Sequence, residues 1–247
     1  MDFALLGVCF DKTQGLRRGA GQAPSFLRAV FPKLETFIFG VELGNSFIED
    51  LGDVEADSLE EMVREVGSRL RGTKKLPIIM GGEHTITLAG VKAVRPDKVV
   101  VMDAHPDCED SAGHDGIVRR LVKEVGAGNV ILYGVRVASR KEHEFIRRNK
   151  IRIVRDKKEL ERIKGRVYLS VDFDVLDPSV IHTVGNPEPM GLSFAEASEA
   201  IRSLADRLVA VDFVEFTPIK SDITGIYALM AGKLIYATMA GIKKARK

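Results

Sequence analysis

The sequence predicts an α/β fold: a three-layer α/β/α sandwich built on a mainly parallel sheet of about eight strands. Three observations predict it. Apolar runs of strand length alternate with amphipathic stretches of helical length from one end of the chain to the other. Strand–helix–strand alternation implies right-handed crossovers, which give parallel strands covered on both faces. No Ser/Gly-rich linker, low-complexity tract or internal repeat interrupts the 247 residues, so residues 1–247 are read as a single domain.

Taken in order, the strand candidates are residues 3–9, 36–41, 76–80, 98–102, 129–133, 151–154, 166–171 and 208–214. Helices are expected at 23–30, 58–71, 85–94, 116–125, 139–149, 157–163, 194–206 and 223–242. Ser58 ahead of Glu60 and Glu61, and Ser193 ahead of Glu196, are N-cap signals. The basic residues Lys243, Lys244, Arg246 and Lys247 close the last helix, where cations meet the negative end of the dipole.

Composition narrows the function classes. A hydrophobic content of 45% with a net charge of +2 allows a large core and leaves no electrostatic footprint for nucleic acid. No apolar run approaches the roughly 18 residues that cross a bilayer, so no membrane partner is expected. Asp2 stands where a secretory leader carries its basic region, and Cys9 and Cys108 make no disulfide framework. The expected compartment is the cytoplasm. Glutamine occurs only at Gln14 and Gln22, which together with the many charges points towards a thermophilic source.

Three acidic segments carry the chemistry: Gly81-Gly82-Glu83-His84, Asp103-Ala104-His105-Pro106-Asp107, and Asp172-Phe173-Asp174-Val175-Leu176-Asp177-Pro178. Each directly follows a predicted core strand. Residues two apart in an extended chain point the same way, so Asp103, His105 and Asp107 converge, as do Asp172 and Asp174. The C-terminal edge of an open parallel sheet is where ligands bind. Four carboxylates gathered there repel one another without a counter-charge, and two divalent cations balance them. Any one such segment is commonly a turn or a helix cap. Three of them, each on a strand end, predict a binuclear metal site.

These residues resemble the ureohydrolase family, the arginases and agmatinases. Its GG(D/E)H, DAHxD and SxDxDxxDP patterns are matched by Gly81 to His84, Asp103 to Asp107 and Ser170 to Pro178. Arg17, Gly19 and Pro24 are similar to its N-terminal R-x-G-x-x-x-x-P stretch, and Val214-Glu215-Phe216-Thr217-Pro218 to its late V-E-x-x-P element. Glu83 before the histidine, and Asn186-Pro187-Glu188-Pro189-Met190-Gly191, are closer to agmatinases than to arginases.

The resemblance implies that Asp103 and Asp172 bridge two metals, one completed by His84 and Asp107 and the other by His105 and Asp174. Two Mn²⁺ per chain suit that oxygen-rich shell better than the thiolate sites of structural zinc. Glu215 is expected to accept a bidentate hydrogen bond from a guanidinium group. His114, in a segment similar to the agmatinase H-G-T-x-F-R-R, is expected to contact the substrate and protonate the leaving amine. Asp115 stands where glycine is usual, and the loop between Asp107 and His114 is short.

The implied activity is that of a hydrolase of carbon–nitrogen bonds in linear amidines. It would act on a small guanidino substrate, with agmatine giving putrescine and urea in polyamine biosynthesis. Arginine, guanidinobutyrate or formiminoglutamate are the alternative substrates, and a catalytically idle metal-binding relative is the alternative class. A homo-oligomer, trimer or hexamer, is implied in the same way. Asp177 is expected to fix the turn before Pro178. His182, His143 and Cys108 are read as a loop histidine, a solvated helix histidine and an incidental thiol.

Overall fold

The computed structural model describes residues 3–44, 47–219, 222 and 225–247. Ten strands are seen among them: β1 (Phe3–Cys9), β2 (Phe37–Ile38), β3 (Val41–Glu42), β4 (Ile48–Glu55), β5 (Leu76–Met80), β6 (Lys98–Met102), β7 (Val130–Tyr133), β8 (Arg152–Val154), β9 (Val167–Asp172) and β10 (Leu208–Val214). Eight form one sheet in the order β4-β1-β5-β10-β9-β6-β7-β8, and every pairing in it is parallel. β2 and β3 make a separate antiparallel hairpin.

The helices are α1 (Ala23–Val30), α2 (Leu59–Arg71), α3 (Ile86–Val94), α4 (Ile117–Val125), α5 (Arg140–Asn149), α6 (Lys157–Leu160), α7 (Phe194–Arg202) and α8 (Ile226–Ala245). They divide the core into two apolar layers, one on each side of the sheet. Leu5, Ile78, Val100 and Leu169 face one way and pack with α1, α6, α7 and α8. Their neighbours Leu6, Ile79 and Val101 face the other way and pack with α2, α3, α4 and α5. That alternation is the period-two geometry of a strand buried on both faces. The α/β/α architecture expected from the sequence is present.

Two strands depart from expectation. Residues 36–41 were expected as one strand of the main sheet; they lie in the hairpin, with Phe39 at φ 53° and Gly40 at φ 78° in its turn. The eighth strand of the main sheet is instead β4, which was not expected at all. Its sequence, Ile-Glu-Asp-Leu-Gly-Asp-Val-Glu, lacks the period-two apolar alternation of a strand, and it lies at the edge, half-solvated. Arg28 of α1 compensates its charge, pairing with Asp50 at 2.8 Å and with Asp53.

Helix ends follow local chemistry. Ser58 accepts from Glu61 N at 3.2 Å. Ser139 and Ser193 each close a reciprocal capping box, with Glu142 and Glu196. α7 stops four residues earlier than expected, because Leu204, Ala205 and Arg207 switch to i→i+3 backbone bonds and turn into β10. α8 begins at Ile226 and runs three residues further than expected; Ile223 and Thr224 lie outside the described residues. No helix among the described residues is long and apolar enough to cross a membrane. Ser193→Ala removes one half of a capping box on an exposed helix start and is expected to lower unfolding free energy by about 1 kcal/mol, read by urea denaturation.

Candidate metal centre and active site

The four central strands β5, β10, β9 and β6 end level with one another. Met80 pairs with Phe213, Phe213 with Val171, and Val171 with Met102. The residues that follow therefore emerge side by side at the C-terminal edge, where strand order reverses. Gly81 and Gly82 turn the chain away from β5 with φ of 76° and 85°. A Cβ on Gly82 would lie 2.7 Å from the Val8 carbonyl, so only glycine brings His84 into place here. Asp107 and Glu215 also hold positive φ, 43° and 64°, a backbone strain that gathers at functional positions.

The structure brings the six expected ligands together. His84 Nδ1 lies 2.9 Å from Asp107 Oδ2, 3.2 Å from Asp103 Oδ2 and 3.5 Å from Asp172 Oδ2. His105 Nδ1 lies 2.8 Å from Asp174 Oδ2 and 3.6 Å from Asp103 Oδ1. Two sets of donor atoms result, each within 4.8 Å: His84, Asp103 and Asp172, and Asp103, His105 and Asp174. Asp103 belongs to both and Asp172 to the first. Asp103 Oδ2 is buried without a hydrogen-bond partner. An orphaned carboxylate oxygen amid imidazole and carboxylate donors fits a pair of divalent cations.

The electrostatics agree with that fit. Burial, then repulsion from Asp174, pushes the Asp172 carboxyl far above its ordinary value. Burial and the neighbouring Asp103 raise Asp174 to about 7. Asp107 is raised by the same two causes. Burial works against charge on Asp103 too, but the imidazoles of His105 and His84 beside it outweigh that and hold its carboxyl low. A protein without counter-ions has to keep protons on some of these acids.

The substrate side is a cavity of about 190 Å³ lined by Asp172, Asp174, Glu215, His105 and His114 among others. Glu215 is 6% exposed. Its Oε1 accepts from His84 N at 2.8 Å and its Oε2 from Gln14 Nε2 at 2.5 Å. Burial raises it to about 7 despite the opposing charge of His114. His114 sits at the cavity wall with Nδ1 2.9 Å from the Thr13 carbonyl.

The other singled-out residues lie apart from the chemistry. Asp177 accepts from Ser179 and from Gly191 N, which holds its carboxyl at about 2. His182 packs edge-on against Tyr227, ring centroids 4.3 Å apart. His143 is exposed and Cys108 is buried with its thiol pushed up to about 12 by burial and by Glu142.

A family profile for the Arginase family matches residues 1–241. The chain belongs to the Arginase family. It is similar to the N(1)-aminopropylagmatine ureohydrolase of Thermococcus kodakarensis, 32% identical across 98% of this chain and 91% of that one. The agmatinase of Pyrococcus horikoshii is 30% identical across 95% of this chain and 90% of the relative. The crystal structure of the agmatine ureohydrolase of Thermoplasma volcanium superposes with a TM-score of 0.90 at 31% identity, over 99% of this chain and 91% of that one. As a member of this binuclear-metal family, the protein is a hydrolase of carbon–nitrogen bonds in linear amidines.

Several groups at this arginase-family site carry no signal in the sequence. Gln14 reaches Glu215 across a separation of 201 residues. Glu83 accepts from Thr13 N at 2.7 Å and Thr13 Oγ1 at 2.6 Å, and Thr13 Oγ1 accepts from His114 N at 3.0 Å. Asn186 and Glu188 approach His105 Nε2 at 2.9 and 3.5 Å. Only the motif position of Glu83 and the Asn-Pro-Glu segment could have hinted at them. Because Asp103 serves both donor sets, Asp103→Asn is expected to abolish uptake of both ions, whereas Asp107→Asn weakens one. Metal content after gel filtration checks the pair.

Proposed function

We propose that the protein is an agmatinase using two Mn²⁺ ions: agmatine and water give putrescine and urea. The observation that carries this reading is Glu215, a buried carboxylate on the wall of the same cavity as the proposed ligands Asp172 and Asp174. Each of its oxygens already accepts one hydrogen bond, and a carboxylate oxygen has a second lone-pair site. The pair of free sites matches the two parallel N–H groups of a guanidinium cation.

His84, Asp103, Asp107 and Asp172 would hold one ion, and His105 and Asp174 with Asp103 and Asp172 the other. When bound, such ions lower the pKa of water and supply a nucleophile at neutral pH. Glu215 orients the guanidinium carbon, and Gln14 fixes Glu215. His114 donates its Nδ1 hydrogen to the Thr13 carbonyl, which leaves Nε2 to take a proton and return it to the departing amine.

The charge of the cavity lining supports a cationic tail. Glu109 and Asp115 line the cavity, and Arg17, the one lysine or arginine among the lining residues, is turned to the His182 carbonyl at 3.4 Å. Carboxylates there favour an amine over the acid groups of arginine, guanidinobutyrate or formiminoglutamate. A longer polyamine tail, as in aminopropylagmatine, is the second reading that this acidic lining supports. Either substrate sets the protein in polyamine synthesis, with the cytoplasm as its setting and the whole chain as one domain.

Urea release after Mn²⁺ loading tests the reading with agmatine, aminopropylagmatine, arginine and guanidinobutyrate side by side, with formamide release read for formiminoglutamate. The amine-tailed substrates are expected to dominate. Glu215→Gln is expected to lower kcat/KM about 10- to 100-fold with both ions retained, the loss of one charge-assisted pair. No urea from any of them in protein holding two ions overturns it. The proposed assembly is a trimer or hexamer, using exposed apolar side chains such as Phe37, 68% exposed. Light scattering is expected to read three or six chain masses.

A further inference from the structure

Glu83 is an acid at the ligand edge of the sheet that no step above uses. It stands one residue before His84 and is fully buried. Its backbone N–H is fixed to the Phe10 carbonyl, just past the end of β1, at 2.7 Å. Both carboxylate oxygens meet Thr13. Oε2 accepts from Thr13 N at 2.7 Å and Oε1 from Thr13 Oγ1 at 2.6 Å. Oε1 also accepts from Thr85 Oγ1 at 2.7 Å. Thr13 itself lies on an exposed loop, with Lys12, Gly15 and Leu16 exposed around it. From that loop it holds His114 twice: its Oγ1 accepts from His114 N at 3.0 Å, and its carbonyl lies 2.9 Å from His114 Nδ1.

Counting hydrogens fixes the direction of each of these bonds. With three donors facing it, the Glu83 carboxylate only accepts, and a hydroxyl has a single hydrogen. Thr13 gives that hydrogen to Glu83, so its Oγ1 is left to accept from His114 N–H. The Thr13 carbonyl has no hydrogen to give, so the imidazole hydrogen sits on Nδ1 and the lone pair on Nε2. Hydrogen bonds to a carboxylate are about twice as strong as neutral ones. Two of them tie this exposed residue to the interior, where surface loops are otherwise mobile. The next residue, Gln14, holds Glu215 instead. One loop thus serves two tasks, with Thr13 set against the proton carrier and Gln14 against the guanidinium grip.

We propose that Glu83, acting through Thr13, is a positioning residue that holds His114 with its Nε2 free for proton transfer. The inference rests on the reading of His114 as the group that protonates the leaving amine. General acid–base catalysis by one side chain contributes about 100- to 10,000-fold, and it depends on hydrogen-bond reach of the proton moved. A His114 that swings away from Thr13 gives up part of that factor.

Steady-state urea release by the Mn²⁺-loaded full chain tests it, on the guanidino substrate that the wild type turns over fastest and with metal content measured for every variant. Thr13→Val keeps the shape and removes the hydroxyl link. It is expected to lower kcat about 10- to 100-fold with KM near wild type, because the Gln14–Glu215 bond stays in place. Thr13→Ser, which returns the hydroxyl, is expected to recover that turnover. Glu83→Gln turns an amide donor towards Thr13 and is expected to match Thr13→Val; the two Thr13 variants carry the test if it fails to fold. In a His114→Ala background, Thr13→Val is expected to cost nothing further, since the residues act as one unit. Wild-type kcat in Thr13→Val or in a folded Glu83→Gln, an equal loss with and without His114, or an ion lost from Thr13→Val overturns the proposal while leaving the hydrolase standing. Wild-type turnover in His114→Ala overturns the role of His114 and the proposal with it. A wild type that releases urea from none of the guanidino substrates overturns the proposed function and the proposal together.

Discussion

Four carboxylates held at the end of a rigid sheet, three of them buried and Asp107 partly so, constrain everything around them. Two like charges 4 Å apart repel by about 4 kcal/mol at the effective dielectric of a protein surface, and more where water is excluded. Strand pairing fixes Met80, Phe213, Val171 and Met102 in one row, so the acids that follow have no freedom to spread. Two imidazoles relieve part of that repulsion through hydrogen bonds. The remainder calls for cations, and the donor set gathered on the sheet is the set that cations take.

Around this charged floor, the walls are tied to the floor itself. Glu83 leaves β5 one residue before His84 and binds Thr13, and Thr13 binds His114. The same loop carries Gln14 to Glu215, whose other oxygen returns to the backbone of His84. On the far side, Arg136 donates to the carbonyls of Asp174, Glu188 and Pro189, so the segment beside His105 is fastened to a strand end as well. A disturbance at one strand end therefore reaches the substrate wall within two hydrogen bonds.

What the sequence disclosed follows from where each signal is stored. β5, β6 and β9 are buried on both faces, so composition alone marks them. The extended spacing expected for the acids does not hold: Asp103, His105 and Asp107 follow the end of β6 in a bend and Asp174 sits in a 3-10 turn, and those turns bring the side chains together. Glu215 stands at a strand end and was visible through its neighbours. Gln14 and Thr13 were not, because their meaning depends on a loop folding across the sheet edge from more than 60 residues away. β4 was lost because burial writes the apolar pattern and an edge is only half buried.

That edge has a consequence for how copies of the molecule meet. β4 is an edge strand, the kind of template onto which another sheet can grow, although its Leu51 and Gly52 carbonyls already accept from Arg69 and Arg28. It also bears Glu49, Asp50, Asp53 and Glu55, and the cation that offsets Asp50 and Asp53, Arg28, reaches them from the chain's own first helix. Two molecules approaching strand against strand would each present acid to acid, with Arg28 already committed to Asp50 and Asp53 and Lys75 beside Glu49. The acidic border that conceals β4 from a hydropathy reading thus also disfavours polymerisation through this edge of the sheet.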